Sequence, residues 1–178
     1  MNDLSIIPEC YVDTNLLETL VPPQKGYNHQ KNCGQVANTM KSKFFDKFAL
    51  GIIDKDKKEI AYLSEFDLLV NTESLYLYKH KTKHHYIIQI APAVERFILK
   101  AGADLNISLS SIGLADDLDS LKKITKNQVS KRDINLKNAF KRLKDSPDFA
   151  LLSKWVKYMK DNQFATDPNG LIGMVSIC

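Results

Sequence analysis

Asp13, Asp54 and Asp56 are the residues whose type and spacing point most directly to chemistry. In an extended segment, residues two apart face the same side, so Asp54 and Asp56 would offer two carboxylates to one point. Such a pair suits a hard divalent cation, since magnesium prefers carboxylate oxygen and keeps several of its waters. Zinc would require His or Cys at tight spacing, and neither stands nearby. The continuously apolar stretch 48–53 stops abruptly at Asp54, the pattern of a strand buried on both faces that delivers the pair at its C-terminal end. Asp13 closes a shorter apolar run, residues 6–12, which reads as a first strand parallel to it. Three carboxylates would then meet at the sheet edge where open α/β folds bind ligands. Held together without a cation they would repel and raise one another's pKa, so their meeting would itself argue for a metal. Without the buried strand and Asp13, the pair would read as a polar turn ahead of Lys57 and Lys58.

The elements that must position these acids follow from periodicity. After the first strand, residues 15–21 suggest a brief helix stopped by Pro22 and Pro23. Val36, Met40 and Phe44 mark an amphipathic helix ending near Asp46, and strand, helix and buried strand together imply a parallel crossover. Residues 60–69 read as helix, and 74–79 with 84–90 as a hairpin around a basic turn. Helices follow after Pro92, from Leu114 to Ile124, from Leu136 to Leu143, and from a Ser146-Pro147 start whose core face includes Phe149, Leu152, Val156 and Met159, with Trp155 as packing area. The tail 166–178 reads as loop or edge. The result is one α/β domain over 1–178, with a mainly parallel central sheet, an added hairpin and a helical C-terminal part; the core spans about 5–100 and the helical extension about 101–178.

Composition sets the outer bounds. A hydrophobic fraction of 44% with 26% charged residues is that of a chain with a true core. Three cysteines without zinc spacing fit a reducing compartment, and no apolar run reaches the ~18 to 20 residues of a membrane span. With Asn2 and Asp3 in place of a basic and then apolar leader, the expectation is a cytoplasmic protein with no membrane partner. The net charge of +4 is localised in residues 79–85 and 122–144. Lys25, Lys79, Lys81, Lys83, His84, Lys131 and Arg132 are therefore candidate contacts to DNA or RNA, which basic surfaces bind by releasing counterions. A solvated helix face is the competing reading.

Tyr11-Val12-Asp13 and Ile52-Ile53-Asp54-Lys55-Asp56 resemble the two acidic motifs of the Toprim fold, found in bacterial primases, topoisomerases and small nucleases of overcoming-lysogenization-defect type. The family places an acid, usually Glu and often followed by Gly, after its first strand, and Asp-x-Asp after a later parallel strand. Pro92 to Leu99, with Glu95, resembles a helix of small Toprim-like proteins, and Ser146 to Phe149 their late helix start. The resemblance implies a three-layer Toprim-like domain and a phosphodiester-acting, nuclease-like enzyme using Mg2+ or Mn2+. Asp13, Asp54 and Asp56 would be the metal and catalytic acids, with Glu18 one turn along from Asp13 as compensation for its shorter side chain. Alternatives are a catalytically inactive Toprim-like module that binds nucleic acid or protein, and a small-molecule or nucleotide sensor. Val12 to Leu17 also resembles the opening of PIN-domain ribonucleases, with Asp104, Asp116 and Asp117 as further acids.

Overall fold

Three parallel strands carry the architecture of the computed structural model, which describes residues 3–55 and 60–177. They are β1 (Ile6–Pro8), β2 (Ala49–Asp54) and β5 (His85–Ile90); β3 (Phe66–Asn71) and β4 (Leu75–His80) complete a five-stranded mixed sheet in the order β1-β2-β5-β4-β3. β1, β2 and β5 pair in parallel, with Pro8 beside Ile52 and Asp54 beside Ile90, while β3 and β4 form antiparallel pairs. The parallel crossover and the hairpin expected from the sequence are both present.

The helices are α1 (Tyr11–Leu20), α2 (Cys33–Lys43), α3 (Val94–Asp104), α4 (Leu118–Thr125), α5 (Ile134–Leu143), α6 (Pro147–Asn162) and α7 (Pro168–Gly173). Side-chain alternation along β2 assigns them to the two sheet faces. Leu50 and Ile52 enter a core with α1, α3, α5 and α6, whereas Ala49 and Ile53 pack with α2 and the 3-10 segment Ala61–Glu65. By the same alternation Asp54 turns toward the α1 and α3 side, where Val94 at the start of α3 bonds it. Trp155 is fully buried and its ring N–H donates to Leu171 O at 3.0 Å, so it serves as packing area with its polar edge satisfied. None of the described helices is long and apolar enough to cross a membrane.

Gly51 lets α2 approach the sheet closely. A Cβ there would lie 3.0 Å from both Met40 Sδ and Val36 Cγ1. Met40 has a flexible thioether, but the branched Val36 is stiff. Gly51→Ala should therefore destabilise the fold by about 1 to 2 kcal/mol, read as a lower denaturant midpoint at unchanged slope. An unaltered midpoint would mean that α2 shifts freely.

Several local expectations are corrected. The first strand ends at Pro8, because Cys10 caps a helix that already begins at Tyr11; Asp13 is therefore in the first turn of α1 and not at a strand end. Residues 60–69 are a 3-10 turn followed by β3, whose Phe66 and Tyr62 are both buried and lock edge to face at 5.1 Å. A helix does follow Pro92, with Ala93 at the cap position of α3. Asp117 caps α4, so Leu114 and Asp116 lie ahead of it. Ser146 occupies the cap position of α6 but makes no side-chain capping bond. The tail contains α7, capped by Asp167 and started by Pro168.

Candidate functional site

At the C-terminal edge of the parallel strands, each chain segment leaves the sheet with an acid. β1 delivers Glu9, whose N–H bonds Ile52 O at 2.9 Å, so the residue leaves the sheet in register with β2. β2 ends in Asp54, and β5 leads through Pro92 into α3, whose first turn carries Glu95. Asp13 joins them from the first turn of α1. It is placed there by a reciprocal cap, in which Asp13 N donates to Cys10 Sγ at 3.4 Å and Cys10 N to Asp13 Oδ2 at 3.2 Å.

Backbone donors fix the remaining carboxylates. Asp54 N donates to Glu9 Oε2 at 3.1 Å, which ties the two strand-end acids together. Val94 N, at the start of α3, donates to Asp54 Oδ1 at 3.0 Å, and Thr125 Oγ1 donates to Glu95 Oε1 at 2.6 Å. Asp13 and Glu95 are buried. Among the described residues Asp13, Asp54 and Glu95 form no ion pair.

Charge crowding follows from this placement. Burial, then the charges of Asp13, Glu9 and Glu95, push the Asp54 carboxyl up to about 9. Burial raises Asp13 to about 7, with Glu9 and Glu95 adding to the shift and the Cys10 bonds opposing it. Burial and Asp13 push the Cys10 thiol far up, so at neutral pH it is a protonated capping group and not a nucleophile. Asp13 Oδ1 is buried and accepts no hydrogen bond among the described residues. Among the described residues no three or more His, Cys, Asp or Glu side chains stand in an arrangement that could hold a metal ion.

Asp13 and Asp54 are near enough for the Asp13 charge to act on Asp54, although Asp13 reaches that edge from the first turn of α1 and not from the strand end that the sequence suggested. Asp56 lies outside the described residues. Glu18 does not join them; it accepts a bond from Tyr27 N at 3.2 Å, toward the far end of α1. Glu9 and Glu95 went unrecognised as members. Glu9 was hidden by the expectation that the strand continued through Cys10 to Val12, although Pro8 was the signal that it ended there. The further acids of the PIN reading serve local needs instead: Asp104 pairs with Lys100 at 2.7 Å, Asp116 accepts from Ser108 and Ser110, and Asp117 caps α4.

The basic candidates divide. Lys79, Lys81, Lys83 and His84 lie at the turn where β5 begins, and Ala49 pairs with His85, so this turn is at the opposite end of the sheet from Asp54. Lys83 stacks on Phe45 at 3.1 Å, His84 packs edge-on to Phe164, Lys81 lies 4.0 Å from Asp67, and Lys79 bonds His80 O. His80 and His85 are buried beneath this turn, bonded to Glu65 and to Tyr62 with Phe44 O. Six residues of strand separate the turn from the carboxylates, roughly 17 to 20 Å, so the two cannot touch one small ligand together. Lys25, Lys131 and Arg132, in contrast, line one cavity. Comparison with known protein families, with curated proteins and with solved structures finds no match for this chain.

Proposed function

We propose that this chain is a divalent-metal-dependent enzyme acting on phosphodiester bonds, with a Toprim-like arrangement of strands and acids. One observation carries the reading: Glu9, Asp13, Asp54 and Glu95 come from four separate elements to one sheet edge, and burial, with the charges of acidic neighbours added to it, raises each of the two aspartates. Carboxylates so placed cost free energy unless protons or a cation neutralise them. The acid directly after the first strand is Glu9, in keeping with the family's usual Glu; Cys10 stands where that family often has Gly.

The donor set suits Mg2+ or Mn2+, being all carboxylate oxygen, and the buried Asp13 Oδ1 is an acceptor with capacity to spare. Glu9 and Asp54 would hold the cation, with Asp56 as a further donor. When bound, it would neutralise charge on a phosphoryl group and lower the pKa of attacking water. The chain's own residues do the positioning. Val94 N orients Asp54, Asp54 N orients Glu9, and Asp13, titrating near neutrality, is suited to hold or pass a proton.

The test is cleavage of DNA and RNA by the full chain with Mg2+ or Mn2+ against a chelated control. Calorimetric Mn2+ binding should tighten as pH rises from about 6 to 9, with proton release, since the ion needs the deprotonated carboxylates. Absence of Mn2+ uptake across that range would overturn the reading. Uptake without cleavage would favour the non-catalytic module.

A further inference from the structure

A cavity of about 450 Å³ lies between the loop 22–27 and the segment 131–137, and Lys25, Lys131, Arg132 and Lys137 line it with Glu18, Pro22, Pro23, Gly26 and Tyr27. More than a hundred residues of sequence separate Lys25 from the other three cations, so only the fold assembles them. The joint is specific. Asn15, buried in α1, donates through Nδ2 to Ser130 O at 2.7 Å and to Asp133 O at 3.0 Å, clamping the 3-10 segment Gln128–Arg132 onto the helix that bears Asp13. Gly26, at φ 106°, makes the turn that returns the loop toward α1.

The cations are not there to neutralise acids. Among the described residues none of the four forms an ion pair. The acids close by are occupied with backbone, Glu18 accepting from Tyr27 N and Asp133 capping α5 through Asn135 N and Leu136 N. Lys25, Arg132 and Lys137 are exposed and Lys131 half-buried, so the site is an open cationic trough, unlike the closed cradle of backbone N–H groups that grips a single phosphate. Beside the carboxylates on the same helix, the Tyr11 ring stacks on His29 at 4.3 Å, and His29 Nδ1 lies 3.0 Å from Thr14 Oγ1. Burial and then the Lys131 charge lower the His29 pKa, placing this ring pair within electrostatic reach of the trough.

We propose that this trough binds the sugar-phosphate backbone of a nucleic-acid strand through Lys25, Lys131, Arg132 and Lys137, without need of a metal. α1 then acts as a ruler, with carboxylates at its first turn and the trough toward its last, a helix of 10 residues or about 15 Å. Open, separate cations favour a polymer over a small anion, because each contact is weak and affinity comes from releasing several counterions at once. The ring pair at the carboxylate end of α1 offers a base a stacking face. The assignment rests on the phosphodiester reading and gives that site its substrate class.

The test is fluorescence anisotropy of a labelled single-stranded oligodeoxynucleotide in excess chelator, so that no divalent metal takes part in the binding. K25E/K131E/R132E should weaken binding at least about tenfold and make the log-log salt dependence shallower by about 2, while K81E/K83E on the hairpin leaves both unchanged. If the triple reversal does not fold, the milder K25A/K137A pair must still weaken binding severalfold. Equal losses from the hairpin variant, no binding by the unaltered chain in chelator, or displacement by equimolar inorganic pyrophosphate would overturn the assignment. None of these outcomes depends on cleavage or on Mn2+ uptake, which test the carboxylate site separately.

Discussion

Glu9→Gln combined with Asp54→Asn is expected to lower metal-dependent phosphodiester cleavage by at least about 10³-fold, equivalent to about 4 kcal/mol of transition-state stabilisation. Both substitutions keep the shape of the site. The carboxamide oxygen introduced at position 9 can still accept from the backbone N–H of residue 54, and the one introduced at position 54 can still accept from Val94 N, so neither the β1 exit nor the start of α3 loses its bond. What is removed is the negative charge that would attract the cation. Mn2+ uptake should fall in parallel, with an unchanged circular-dichroism spectrum. Asp13→Asn should be milder, because Asp13 also works as a helix cap and its Oδ2 is engaged with Cys10 N. Cleavage that survives the Glu9 and Asp54 changes would remove the metal role from these acids. The Asp54→Ala, Asp56→Ala pair suggested by the Asp-x-Asp motif is the companion measurement, although Asp56 lies outside the described residues.

Burial of Asp54, with the same crowding added to it, makes the metal-free protein less stable than it would be without the charge. Asp54 is held above its unfolded pKa, so its contribution to stability is complete below about pH 4 and is lost as pH rises toward about 9. In that window the unfolded chain has released a proton that the folded chain still binds, and stability therefore falls with pH. Asp54→Asn should remove this loss. At pH 7.5 in chelator the variant is expected to be more stable by roughly 2 to 4 kcal/mol, a rise in Tm of about 5 to 10 °C for a chain of this size. Near pH 4 the two proteins should coincide. Saturating Mn2+ should reverse the order, since binding to the native state stabilises only the protein that retains the ligand. A variant that is no more stable at pH 7.5, or equally stabilised at both pH values, would show that the carboxylates do not crowd one another.

Carboxylates buried together cost stability, and here the surrounding structure holds them in place. Asp13 is fixed by the cap with Cys10, Asp54 by Val94 N and Glu95 by Thr125. The β2 strand beneath them is buried from Ala49 to Ile53, between β1 and β5. Repulsion at the edge is therefore opposed by a core that cannot yield locally.

Patterns of short range were legible in the sequence because their causes are short-ranged. The uninterrupted apolar run before Asp54 identified β2, the spacing of Val36 and Met40 identified α2, and the segments flanking the Lys79 to His85 cluster identified β4 and β5. Asp54 and Asp13 stood out because an acid ending an apolar run breaks its pattern. Tertiary structure alone decided which acids meet. Glu9 and Glu95 were not placed with the aspartates until parallel pairing of β1, β2 and β5 set their ends side by side, and the basic residues were divided between the β4–β5 turn and a separate trough beside α1 by packing that sequence spacing does not encode. The 3-10 turn and strand at 61–71 were misread as helix because their apolar spacing fits both periods, and the buried packing of Tyr62 and Phe66 settled the choice. Periodicity records how each segment meets the core, whereas convergence of charge depends on strand order and register, which arise only when distant segments pack.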